Sequence, residues 1–148
     1  MASDDEGAGV SREKPEERLA DIELFESLSK RQLKRLVSES REVKHHPGHH
    51  IADEGLGALA FHLILDGEAK VSRGGSTLRT LGPGEYFGEI SIIDGKPRSA
   101  TVEAAGDLTT LAIPYQSFQN LLDEDPAFAR SLLNTLCARL RDAESRSS

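Results

Sequence analysis

One cysteine, Cys137, stands in a chain of 148 residues, so no disulfide framework can form within it and a reducing compartment is expected. No apolar run reaches membrane-spanning length, and the start MASDDEGAGV lacks the basic-then-apolar layout of a secretory signal. A soluble, cytoplasmic protein with no membrane partner is the expectation. Positive charge is scarce as well: 18 Lys and Arg stand against 25 Asp and Glu, for a formal net charge of -7. A nucleic-acid surface needs clustered cations, so no nucleic-acid partner is expected. Catalytic patterns are also missing. No Ser/His/Asp, Cys/His or paired-carboxylate arrangement stands out, and the expectation is no enzyme. His45, His46, His49 and His50 lie close enough in sequence for metal ligands. Neighbours on a strand face opposite ways, however, and no cysteine is near, so no metal is expected.

What is present reads as one domain by length. Residues 1–17 are acidic and nearly free of large apolar groups, and a disordered tail is expected there. A helical pattern covers 18–42. Ser29 followed by Gln32 is a capping-box signature, with Leu28 and Leu33 as a hydrophobic staple. Short strands and turns fill 43–113. Phe61, Leu63 and Leu65 share one face, Asp66-Gly67 is a hairpin signal, and Arg73-Gly74-Gly75-Ser76 is a second turn. Ala100, Val102 and Ala104, then Leu111 and Ile113, continue the alternation. Such strands predict a sandwich or barrel of jelly-roll type. Helices return over 115–146: one from Tyr115 to Leu122, and another capped by Asp125 with Pro126 at its first position. Phe128, Leu132, Leu136 and Leu140 form a stripe on the second, which must bury itself against something.

The most informative stretch is GPGEYFGEISIIDGKPRSATV, from Gly82 to Val102. Small residues line an interval where backbone must come close to something, beside a predicted helix start whose free N–H groups favour negative charge. Arg98 can grip two phosphate oxygens through its planar fork. Glu89 only accepts hydrogen bonds when ionised, so it suits a sugar hydroxyl and repels a phosphate. The residues describe a pocket for a small anion with a hydroxyl beside it. Other roles remain open for each residue. Arg98 could form a structural salt bridge, Glu89 could pair with a helix dipole, and Ser99 could be an ordinary strand-start serine.

The Gly82-Pro83-Gly84 turn, the run Phe87-Gly88-Glu89-Ile90-Ser91 and the run Arg98-Ser99-Ala100-Thr101 together resemble the phosphate-binding cassette of the cyclic nucleotide-binding domains. Catabolite activator protein and the protein kinase A regulatory subunits belong to that family. The upstream frame matches too, in His46-Pro47-Gly48 through Ile51, Glu54-Gly55 and Ala60 to Val71, and the resemblance runs from about Leu19 to about Arg141. It implies an α+β fold: a β-roll, a jelly-roll-like double-stranded sandwich, flanked by N-terminal and C-terminal helices. It also implies ligand contacts from Phe87, Gly88, Glu89, Ile90, Ser91, Arg98, Ser99 and Ala100. The ligand would be cAMP, toward which Ser99 leans, or else cGMP, with no other cofactor and no metal. In the family the last helix lies over the pocket and often carries a dimer interface. Here no aromatic follows Phe128, and Ala143 and Glu144 fall where some dimeric members contact the base. The expectation is a sensor module without a built-in output domain, a monomer or weak dimer that signals to an unknown protein effector. The alternative is an interaction or scaffold protein that retains the fold without the ligand.

Overall fold

Helix-start chemistry sets the first layer of the computed structural model, which describes residues 14–52, 60–88 and 100–147. Pro15 opens α1 (Pro15–Ala20), with Glu16 and Glu17 in its first turn. A missing N–H is harmless there, and negative charge favours the dipole. Helical structure thus starts inside the stretch that composition assigns to a tail; residues 1–13 lie outside the described residues. A 3-10 turn follows at Glu23–Phe25. In α2 (Lys30–Ser38) the capping box is in place: Gln32 N donates to Ser29 Oγ at 3.1 Å, and Ser29 N donates to Gln32 Oε1 at 2.8 Å. Leu28 and Leu33 are buried in one cluster, as a staple requires. Ser40 Oγ donates to the Leu36 carbonyl and closes the helix end. The first strand therefore begins at Arg41, slightly before the expected Val43.

Eight strands follow among the described residues: β1 (Arg41–His45), β2 (His50–Ala52), β3 (Ala60–Asp66), β4 (Ala69–Arg73), β5 (Ser76–Leu81), β6 (Tyr86–Phe87), β7 (Thr101–Ala104) and β8 (Leu108–Pro114). They form two antiparallel four-stranded sheets, in the orders β1-β8-β3-β6 and β2-β7-β4-β5. Gly74 and Gly75 both have positive φ, 57° and 81°. They close the β4–β5 hairpin with Arg73 opposite Ser76, as a two-residue turn of this hand demands.

Asp66-Gly67 does something else. It turns the chain, but β3 and β4 belong to different sheets and do not pair. The expected hairpin is in fact a crossover between sheets. Its cause is a close approach: Gly67, at φ 86°, lies so near the Asp107 carbonyl that a Cβ would collide with it. The local residues signal the turn, whereas Asp107, far along the chain, fixes its direction.

The inner strands of the first sheet, β3 and β8, bury side chains on both faces. Phe61, Leu63 and Leu65 face the helices, together with Leu111 and Ile113. Ile64 and Leu108 face the roll interior with Val71, Leu81, Phe87, Val102 and Ala104. α3 (Tyr115–Glu124) and α4 (Pro126–Ser147) complete the helical layer. Asp125 Oδ1 accepts from Ala127 N at 3.0 Å and Phe128 N at 3.1 Å, the N-cap that the sequence predicts. Gln32 Nε2 donates to Asp125 Oδ2 at 3.3 Å, so the caps of α2 and α4 are linked.

The α4 stripe buries only in part. Phe128 and Leu132 are core, and Leu136 packs beside them, but Leu140 is 61% exposed. A strict four-residue repeat turns about 40° per step on an α-helix, so Leu140 stands about 120° from Phe128. Arg139, eleven positions on from Phe128, returns to within about 20° of it.

A buried polar set crosses the inner face of the first sheet. Thr110 is fully buried, with His45 and His62 nearly so. The Thr110 hydroxyl lies 3.0 Å from His45 Nε2 and 3.1 Å from His62 Nδ1. Burial, and secondarily the neighbouring His49, lowers the His45 pKa from its ordinary value of 6.5.

Two stability predictions follow from these contacts. Gly67→Ala should destabilise the fold by about 2–4 kcal/mol, through positive-φ strain and the clash with Asp107; an unchanged denaturant midpoint would contradict the crossover geometry. For His45, the unfolded chain takes up the proton before the folded one. Its contribution is therefore complete above about pH 6.5 and is lost as the pH falls below that value. Urea unfolding at about pH 7.5 and about pH 5.5 should show a smaller acid loss in His45→Gln than in the wild type. An equal acid loss in both proteins refutes a buried neutral His45.

Candidate functional site

The cassette begins with a turn fastened to β3. Pro83 and Gly84 occupy its central positions, Gly84 at φ 88°, and Glu85 N donates to the Gly82 carbonyl at 3.0 Å. Proline followed by a positive-φ glycine is the pattern of a type II turn. Gly82 N donates to Glu85 Oε1 at 2.8 Å. Gly84 N donates to the Ile64 carbonyl and Ile64 N to the Glu85 carbonyl, each at 2.9 Å. The turn is thereby held on the central strand of the first sheet.

β6 then sends two neighbours to opposite sides. Tyr86 joins the cluster under the helices, and Phe87 joins the roll interior, as pleating dictates. Gly88 follows at φ 105°, a conformation that only glycine adopts without strain. At the far end of the cassette Ala100 packs, half-buried, against the interior cluster, and β7 then enters the middle of the second sheet. The cassette therefore departs from the first sheet at Gly88 and joins the second at Ala100. Of the expected contacts, Phe87, Gly88 and Ala100 border this apolar interior. Glu89, Ile90, Ser91, Arg98 and Ser99 lie outside the described residues.

One residue that the sequence reading missed approaches from α4. The Arg139 guanidinium sits 4.9 Å from the centre of the Tyr86 ring, a cation–π contact worth about 0.5–2 kcal/mol. Burial lowers the Arg139 pKa from its usual value, with Arg79 adding to that and Tyr86 and Glu85 opposing it. Ala143 and Glu144, expected near the base, are exposed. The available signal was angular: Arg139, rather than Leu140, continues the buried line through Phe128. A cavity of about 540 Å³ opens beside this contact, lined by Arg18, Asp21, Glu23, Pro83, Tyr86 and Arg139 among others. It lies on the helix side of Tyr86, behind the cassette strand. The roll interior, on the Phe87 side, carries the cassette ends and is the candidate ligand site.

Comparison with known proteins identifies the family of the fold. The profile of the family described as cyclic nucleotide-binding domain matches residues 42–125, more than half of the chain. A cAMP-dependent protein kinase regulatory subunit of Candida albicans is 34% identical over 118 residues, which cover 79% of this chain and 26% of that protein. The Cyclic AMP receptor protein of Thermus thermophilus is 32% identical over 126 residues, or 82% of this chain and 58% of that one. The chain thus spans about a quarter of such a kinase subunit and somewhat over half of the receptor protein. The crystal structure of Thermus thermophilus catabolite activator protein superposes with a TM-score of 0.74 at 32% identity, covering 84% of this chain and 61% of that one. The two sheets with helices at both ends are the β-roll of those proteins. None of the described helices is long and apolar enough to cross a membrane. Fold, cassette frame and relatives converge, and the chain belongs to the cyclic nucleotide-binding domain family.

Proposed function

We propose that this domain binds a 3′,5′-cyclic nucleotide, cAMP more tightly than cGMP, and serves as a ligand-responsive regulatory module. The observation that carries the reading is the cassette frame. Gly88 leaves the first sheet at positive φ and Ala100 leads into the second, with Glu89, Arg98 and Ser99 at family positions between them. In this reading Arg98 and backbone N–H groups take the phosphate, Glu89 takes the ribose hydroxyl, and Ser99 donates to a phosphate oxygen. Phe87 and Ala100 supply the apolar wall. No metal or further cofactor takes part, and no chemistry is performed on the nucleotide.

The response belongs to α4. Arg139 touches Tyr86, whose chain neighbour Phe87 borders the ligand site, and Gln32 joins the α4 cap to α2. Nucleotide binding then shifts the population of α4 and α2 positions, which a protein effector reads. The acidic charge supports a role without duplex DNA binding by this domain.

Calorimetry with cAMP and cGMP is the deciding experiment. Binding should be detected for both nucleotides, tighter for cAMP. A hundredfold excess over the dissociation constant should stabilise the fold by about 2.7 kcal/mol. Arg98→Ala should weaken binding by about 2–4 kcal/mol, because the phosphate loses a charge-assisted partner. Glu89→Gln keeps the shape and one acceptor, so the loss should be about 1–2 kcal/mol. Both variants should fold. Equal affinity of folded Arg98→Ala and wild type overturns the phosphate assignment. No heat from either nucleotide at millimolar concentration leaves the ligand-free interaction module as the function.

A further inference from the structure

The first sheet places one side chain from each strand in a continuous row, in the sheet order β1-β8-β3-β6. His45 comes from β1, Thr110 from β8, His62 from β3 and Phe87 from β6. His45 and His62 meet on the Thr110 hydroxyl. The His62 ring stacks on Phe87, with centroids 5.0 Å apart and planes 11° from parallel. Their backbones are also cross-strand partners, so register and stacking act on the same pair. All four residues are buried. Phe87 is the last residue of the edge strand, and Gly88 carries the chain onward at positive φ.

We propose that His62, held by His45 through the Thr110 hydroxyl, is a positioning residue for the nucleotide site. It fixes the Phe87 ring plane and thereby the point where the chain enters the cassette at Gly88. The inference rests on the nucleotide-binding reading and adds a regulatory consequence, because the row works only while its imidazoles are neutral. A threonine hydroxyl has one proton to donate and lone pairs to accept with. Between two neutral rings it is satisfied, with one ring nitrogen donating to it and the other accepting from it. Charging the accepting ring puts N–H on both sides, and the hydroxyl proton then loses its imidazole acceptor in a buried place.

The groups facing His45 reinforce this direction. The His49 ring stacks on it at 5.4 Å, and a charge there opposes a second one. Its chain neighbours Lys44 and His46 are exposed. β8 and β3 present Thr110 and His62. The turn carrying His49 is tied to Ala104 of the second sheet, with Gly48 N donating to the Ala104 carbonyl at 2.8 Å. The nearby Glu103 lies 3.7 Å from Lys70 Nζ. Acidification therefore loosens the row, and nucleotide affinity falls with it.

The test uses the whole chain, with cAMP calorimetry at about pH 7.5 and about pH 5.5 and the Gly88 amide shift followed by NMR without nucleotide. Thr110→Val keeps the shape and removes the hydroxyl. It should bind about fivefold more weakly at the higher pH, with a displaced Gly88 amide and less further loss on acidification. Thr110→Ser should restore affinity, amide position and pH profile. His62→Phe keeps a ring against Phe87 without the hydrogen bond and should behave as Thr110→Val does. It carries the test if Thr110→Val fails to melt cooperatively. Wild-type affinity in a folded Thr110→Val or His62→Phe at about pH 7.5 overturns the proposal and leaves nucleotide binding standing. If the wild type binds neither nucleotide, the nucleotide reading falls by itself, and the amide still decides what remains. Displacement in Thr110→Val with rescue in Thr110→Ser supports positioning of the chain, and an unmoved amide refutes it.

Discussion

The ring of Phe61 is the contact on which the arrangement of layers depends. It meets Phe25 edge-on at 5.8 Å and stacks on Tyr86 and Phe118, each at 5.1 Å. Phe128 closes the set by touching both Phe25 and Phe118. The five rings come from five elements: the 3-10 turn, β3, β6, α3 and α4. Paired rings of this kind add about 0.5–1.5 kcal/mol beyond the area they bury. More important here is geometry, because close-packed aromatic faces leave few positions for the elements that carry them. The N-terminal turn, the cassette strand and the C-terminal helices are thus located relative to one side chain on the central sheet.

That constraint gives β6 an unusual burden for two residues. Tyr86 is held from the helix side, by Phe61 and by Arg139. Phe87 is held from the interior, by His62. A movement of α4 that shifts Arg139 acts on Tyr86, and the pleat transmits it to Phe87 and Gly88. Coupling between the nucleotide site and the last helix, under the proposed function, therefore needs no long pathway. Both sides press on the same short strand.

The sequence made legible what neighbouring residues decide. Ser29 with Gln32, Asp125 with Pro126, and Gly74-Gly75 each name a local hydrogen bond or dihedral angle, and each stands in the structure as read. The alternation of Phe61, Leu63 and Leu65 was legible for the same reason. Asp66-Gly67 misled because a turn residue reports that the chain bends, not which strand receives it, and the decisive partner, Asp107, is distant in sequence. The α4 stripe misled in a different way. A repeat of four approximates a helix only over short spans, and the error accumulates until Leu140 faces solvent. The cassette motif was readable because its chemistry is concentrated in one run of chain. The row from His45 to Phe87 was not, since its members come from four strands and meet only through sheet register.

Under the proposed function, placement of the cassette would let the site report occupancy. Its chain runs from Gly88, beside the edge strand of the first sheet, to Ala100, just before an inner strand of the second. The two sheets share the apolar cluster of the roll interior, yet no ladder of hydrogen bonds joins them among the described residues. A ligand gripped along this connection would draw on residues that both sheets position. Binding energy would then enter at a seam between rigid parts rather than within one of them, where a small change in relative position requires no ladder to break. Tyr86, two residues before Gly88 and packed beneath Arg139, is a point from which the helical layer would sense it.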